Sequence, residues 1–153
     1  RSVKEFGLSQ TSEILNKTRE LVIETFTLSG QDVRDGMDIA LCSFSKDKVV
    51  FSGANNPLWI IRPIVNVNEQ TKSNYKIFEK GNLALIECKG SKQPIGLYDR
   101  MESFEQNDIE LMKEDTVFIF TDGFADQFGG EKGKKYKYAN FKYFLSDHSR
   151  SLC

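Results

Sequence analysis

From Thr11 to Phe26 the apolar side chains fall at helical spacing, and they do not do so again before Tyr138. Ile14, Leu15, Thr18, Leu21, Val22 and Phe26 recur at steps of one, three and four, which places them on one face of a helix. Lys17, Arg19, Glu20 and Glu24 fall mostly on the other face. Ser9 or Thr11 is the expected N-cap, and Gly30 stands just past the expected end. A helix with one apolar face must lie on something, and the chain beyond Gly30 turns to β-type sequence. The pattern predicts a helix resting on a sheet.

The β-type runs are short and separated by turn chemistry. Asp38–Phe44 and Lys48–Ser52 flank the polar cluster Ser45-Lys46-Asp47. Gly53-Ala54-Asn55-Asn56-Pro57 makes a second tight connection, and Leu58-Trp59-Ile60-Ile61 comes next as an apolar strand that Pro63 ends. Such close spacing predicts an antiparallel meander. Val65 to Asn74 reads as an exposed loop. Tyr75–Phe78 and Leu83–Cys88 read as strands around a hairpin turn at Lys80-Gly81-Asn82. Lys89 to Arg100 reads as a structured loop, and Glu102–Leu111 alternates loosely. Thr116–Phe120 is a continuous apolar run of the kind found in a central strand buried on both faces. Phe124–Phe128 reads as a helical turn and Tyr138–Leu145 as a closing helix. One helix, roughly six to eight mostly antiparallel strands and a last helix predict an α+β layered domain.

Composition narrows the function classes. The chain has 153 residues, the size of one domain, with 39% hydrophobic and 28% charged residues, enough to bury an ordinary core. Its formal charge of -1 gives no reason to expect nucleic acid or a membrane surface as partner. No apolar run approaches the roughly 18 residues of a membrane span. Cys42, Cys88 and Cys153 have no paired metal spacing and fit a reducing, cytoplasmic chain. The single histidine, His148, sits in a polar tail, so a Ser-His-Asp hydrolase is not indicated. Trp59, inside its apolar strand, reads as core.

Three local features carry chemistry. The run Phe118-Ile119-Phe120-Thr121-Asp122-Gly123 ends an apolar strand in an acid and a glycine. A carboxylate at a strand end suits Mg²⁺ or Mn²⁺, which prefer oxygen ligands, and Gly123 lets the backbone turn close to a ligand. On local chemistry alone, a plain turn is the commoner use of such a pair. Asp35-Gly36-Met37-Asp38 sets two acids around a turn at a strand start; Asp38 either caps the strand or faces a metal or its waters. Gly129-Gly130-Glu131-Lys132-Gly133-Lys134-Lys135 is glycine-rich and basic. It is either a solvated loop or a phosphate cradle, and Lys132, Lys134 and Lys135 could equally steer an acidic or phosphorylated protein partner. It lacks the spacing of a Walker loop.

These pieces occur together and in order in one family. Asp35-Gly36-Met37-Asp38-Ile39-Ala40-Leu41, Phe51-Ser52-Gly53-Ala54-Asn55-Asn56-Pro57-Leu58, Lys92-Gln93-Pro94-Ile95-Gly96 and Phe120-Thr121-Asp122-Gly123-Phe124-Ala125-Asp126-Gln127-Phe128-Gly129-Gly130 resemble the SpoIIE branch of the PPM metal-dependent protein phosphatases. The resemblance implies a four-layer αββα sandwich of two antiparallel sheets, and removal of phosphate from serine or threonine of a regulatory protein, such as an anti-anti-sigma factor in a partner-switching pathway. It implies two Mn²⁺ or Mg²⁺ ions that activate water. Asp122 matches a family metal ligand, with Gly123 and Asp38 near the site. The family's Gly-His-Gly motif and its last metal aspartate have no match within the chain. Residues 1–153 are therefore expected to be one partial phosphatase domain, inactive alone, with exposed sheet edges open to self-association. A non-catalytic interaction module on the same scaffold is the alternative, and a phosphate sensor built on Lys132, Lys134 and Lys135 a third reading.

Overall fold

The computed structural model of the chain describes residues 1–30 and 35–121, and the backbone of 128–129 and 134–135. Helix α1 spans Thr11–Leu28 and stops where expected: Gly30 takes a positive φ of 67°, which a residue without Cβ adopts at no steric cost. Its start differs from expectation. Gln10 is the N-cap and makes no side-chain cap bond. The Thr11 hydroxyl is instead buried within 2.8 Å of the Ser52 hydroxyl, and the Gln10 side chain accepts from Gln106. Tertiary partners outcompete the local cap at this end.

Contacts divide the chain into two compact units. The first comprises Arg1–Pro57 and Lys89–Leu111. It holds α1 and a three-stranded antiparallel sheet of order β1-β2-β6, from Ile39–Ser45, Lys48–Ala54 and Asn107–Glu110. The β1/β2 ladder runs from Ile39 opposite Ala54 to Ser45 opposite Lys48, so Lys46 and Asp47 form the turn. Helix α1 rests on β1 and β2, as its apolar face requires. Leu15, Ala54, Ile95 and Phe104 form the core there, with Val22, Ile39 and Leu41 around them. Burying Leu15 alone contributes about 2 kcal/mol.

The second unit comprises Leu58–Cys88 and the chain from Met112 onward. Its antiparallel sheet has the order β4-β5-β3-β7, from Lys76–Lys80, Leu83–Cys88, Leu58–Pro63 and Thr116–Ile119. The β4/β5 hairpin turns at Gly81, φ 61°, as its sequence predicts. Trp59, Ile61 and Leu85 form the core of one face, packed by Phe78, Leu83, Phe118 and Phe120. The Trp59 indole donates to Glu87 at 3.0 Å, which satisfies its buried N–H. Arg62 meets Asp115 through two bonds of 2.9 and 2.7 Å, with both side chains only 3% exposed.

Three expectations are corrected. β1, β2 and β3 are not one meander, because β3 joins the other sheet. The connector diverts the chain at Asn55, whose φ is 60° and whose N–H bonds Ser91 rather than a neighbouring strand. The enclosed strand is β3, buried from Leu58 to Arg62, not Thr116–Phe120. β3 has β5 on one side and β7 on the other, whereas β7 has one partner among the described residues and leaves Ile119 55% exposed. Val65–Asn74 is not all loop. Ile64–Asn66 is a 3-10 turn and Glu69–Asn74 is helix α2, capped by Asn68, whose side chain accepts from the Thr71 N–H. Further on, β8 (Phe128–Gly129) pairs with β9 (Lys134–Lys135). The expected helices at Phe124–Phe128 and Tyr138–Leu145, and His148, lie outside the described residues apart from the backbone of Phe128. No described helix is long and apolar enough to cross a membrane.

Candidate functional site

Three of the sequence runs meet in the first unit. Met37 and Ile95 exchange two backbone bonds of 2.9 and 2.8 Å, which zip Asp35–Asp38 onto Pro94–Gly96. The approach is close. A Cβ on Gly36 would lie 2.5 Å from Pro94 Cβ, and one on Gly96 would lie 2.9 Å from the Asp35 carbonyl oxygen. The second contact joins Gly53–Asn56 to Gly90–Ser91. The Ser91 N–H donates to the Gly53 carbonyl and the Asn55 N–H to the Ser91 carbonyl, each at 2.8 Å. A Cβ on Gly90 would fall 2.5 Å from the Asn56 carbonyl oxygen. These glycines are therefore required by close packing: Gly36 against the Pro94 ring, and Gly53, Gly90 and Gly96 against neighbouring backbone.

Asp38 and Asn55 join the two contacts. The Asn55 side-chain amide donates to the Asp38 carboxylate at 2.8 Å, while both residues stay exposed. Asp38 thus ties the start of β1 to the exit of β2 and keeps its access to solvent. Asp35 is exposed as well.

Gln93 is the residue whose role the sequence did not signal. It is 4% exposed, and its amide oxygen accepts from Arg19 at 2.9 Å and from the Glu102 N–H at 3.1 Å. Its amide nitrogen and Arg19 both donate to the Glu102 carbonyl at 2.8 Å. The Arg19 guanidinium also lies 4.9 Å from the Phe104 ring centre. Helix α1, the Lys92–Gly96 run and the segment after Met101 are locked by this one amide. A glutamine beside a proline carries no such mark in a single sequence.

The fourth run is described only at its edges. The Phe120 ring lies 4.4 Å from the Trp59 ring at a tilt of 59°, so the chain just past β7 is anchored in the core of the second unit. Asp122, Gly123 and Lys132 lie outside the described residues. Lys134 and Lys135 are described as backbone of β9 alone. Among the described residues no three of His, Cys, Asp and Glu converge as a metal site. Asp35 and Asp38 do not make one by themselves, so the described part of the chain does not fit a two-metal centre on its own.

No family model matches the chain, and no curated protein does. Among solved structures it is similar to the SiaA-PP2C domain of Pseudomonas aeruginosa, with a TM-score of 0.70 and 23% identity. The likeness covers 97% of this chain and 50% of that one, so the chain spans half the length of its structural neighbour. At this identity the likeness shows the fold: a mixed α/β chain with two antiparallel sheets and few helices, matching part of a PP2C (PPM) phosphatase fold, as the four runs imply.

Proposed function

We propose that the chain is part of a SpoIIE-type, metal-dependent phosphatase that hydrolyses phosphoserine or phosphothreonine on a regulatory protein. An anti-anti-sigma factor in a cytoplasmic partner-switching pathway is the substrate type this reading favours. The carrying observation is the PP2C-like fold over 97% of the chain, in which three of the four family-like runs pack onto one another. Mn²⁺ or Mg²⁺ is the implied cofactor, and Asp122 is this chain's ligand to it, at the end of the strand that Phe120 anchors. Gly123 keeps the backbone close to that ligand, Asp38 stands near the site, and Lys132, Lys134 and Lys135 contact the phosphorylated partner. Residues 1–121 contribute the scaffold that holds these loops.

The test is phosphate release from a phosphoserine protein by the full-length protein that contains this chain, with Mn²⁺ and with excess chelator. Release that needs the metal is expected. Release that persists undiminished in chelator contradicts the reading.

A further inference from the structure

Residues before α1 carry the signature of a helix end. The Glu5 N–H bonds the Arg1 carbonyl at 2.8 Å and the Gly7 N–H bonds the Val3 carbonyl at 3.0 Å, each four residues back as in an α-helix. Gly7 has a φ of 64°, and its bond to Val3 is the one by which a left-handed residue caps a helix C-terminus. No atom lies within 4 Å of where a Gly7 Cβ would stand, so the cap conformation, and not crowding, calls for the glycine. One capped turn is not a stable helix by itself, because nucleation costs more than a single turn of bonds returns.

A groove lies alongside this turn. Ile14, Thr18, Leu21, Thr25 and Leu28 recur on α1 at alternating steps of four and three. That is the seam spacing at which one helix packs along another, and the stripe is separate from Leu15, which faces the core over the sheet. An apolar groove of about 550 Å³ follows it, lined by Ile14, Thr18, Leu21 and Thr25 and by Arg1–Lys4. Leu28, 81% exposed, continues the stripe.

The capped turn already makes the first contact of this seam. Ser2 is 7% exposed, and its hydroxyl lies 3.0 Å from that of Thr18. Gly7 stands just before Gln10, the N-cap of α1, so the turn runs antiparallel to α1. Traced back from Ser2 past Arg1, the chain is aimed along Leu21, Thr25 and Leu28. From Thr18 to Leu28 α1 advances about 15 Å, which about ten helical residues preceding Ser2 would cover.

We propose that the groove seats an α-helix of the full-length protein that runs into Arg1, ends at Gly7 and packs antiparallel on α1 by an apolar face. Continuity with the Ser2–Thr18 contact is what assigns this occupant. The proposal takes from the phosphatase reading only that the chain is part of a longer protein. Its test measures thiol reactivity and not phosphate release, so either can fail alone.

Thr25 and Thr27 are both exposed, on faces of α1 about 160° apart. Thr25→Cys and Thr27→Cys are labelled with a maleimide and followed by peptide mass mapping. The two should label alike in the 153-residue chain. In the full-length protein Thr25→Cys should label at least about tenfold more slowly than Thr27→Cys, since a packed helix exposes its seam only by local opening. Equal labelling there overturns the proposal. Protection of Thr25→Cys in the 153-residue chain that grows with concentration means that a second copy takes the groove, and overturns it too. The occupant is then identified in the full-length protein by pairing Thr25→Cys with single cysteines placed along the residues preceding Arg1, under mild oxidation. Linking should peak about six residues before Arg1, opposite Thr25, and recur about three or four residues to either side. Linking without that period, or none, overturns the proposal.

Discussion

Replacing Gly53 by alanine tests whether the sequence runs serve packing. The added Cβ would stand 2.3 Å from the Asn56 carbonyl oxygen, 2.7 Å from Phe51 Cζ and 3.0 Å from Gly90 Cα. Two of these neighbours are backbone, and Phe51 is fully buried, so no flexible side-chain end can give way. Relief requires a shift of nearly an ångström in the Gly53–Gly90 contact, where the Ser91 and Asn55 N–H groups make their bonds. Overpacking of this kind costs about 3 kcal/mol at its upper range. The stiffer unfolded chain of alanine returns roughly 0.5–1 kcal/mol. The expected net loss is about 2 kcal/mol, a urea midpoint lower by about 1 M at an ordinary slope. Gly30→Ala is the control: its φ is 67° but nothing lies within 4 Å, so only the backbone term of about 1 kcal/mol remains. The assay is urea unfolding followed by circular dichroism. A Gly53→Ala protein as stable as the parent, or more stable than Gly30→Ala, refutes the packing argument.

Asp115→Ala removes the carboxylate facing the buried Arg62 guanidinium and the acceptor of the Met112 N–H, and should cost about 3 kcal/mol in the same assay. Arg62→Met with Asp115→Leu should recover part of that loss, because the buried charges are gone, while the Met112 N–H still lacks the acceptor that Asp115 gave it. Burial pushes the Cys42 thiol up to about 11, so at neutral pH it should alkylate on the order of a hundredfold more slowly than a free thiol, read by peptide mass mapping. The unfolded thiol ionises near 9.0 and the folded one only near 11, so this contribution to stability is complete below pH 9 and is lost as pH rises toward 11. Urea midpoints measured across that window should fall with pH, and should fall less in Cys42→Ala.

Much of the fold was readable because turns and periodicity agree with it locally. The ends of the β1/β2 and β4/β5 hairpins follow from Lys46-Asp47 and Gly81-Asn82, whose turn chemistry needs no tertiary help. The assignment of strands to sheets was not readable. Leu58–Pro63 and Thr116–Ile119 are similarly apolar, and only pairing partners decide which one is enclosed. The N-cap was misread because Thr11 finds Ser52, 41 residues away, and a distant buried partner leaves no local trace. At the site, the four runs were visible as residues, but the reason for their glycines was not. Gly36, Gly53 and Gly96, with Gly90 just before the third run, look like turn residues in sequence, and the structure crowds Gly36 against the Pro94 ring and the others against backbone. Asp38 is similar: its bond to Asn55, 17 residues away, explains a strand-start acid and leaves no local trace.

The proposed chemistry rests on the fourth run, beyond the anchored Phe120. The most direct measurement compares Mn²⁺-dependent dephosphorylation of a phosphoserine protein by the full-length parent and by Asp122→Ala, with urea midpoints measured alongside. The account predicts a rate at least about a hundredfold lower with an unchanged midpoint. Undiminished turnover in Asp122→Ala would contradict it.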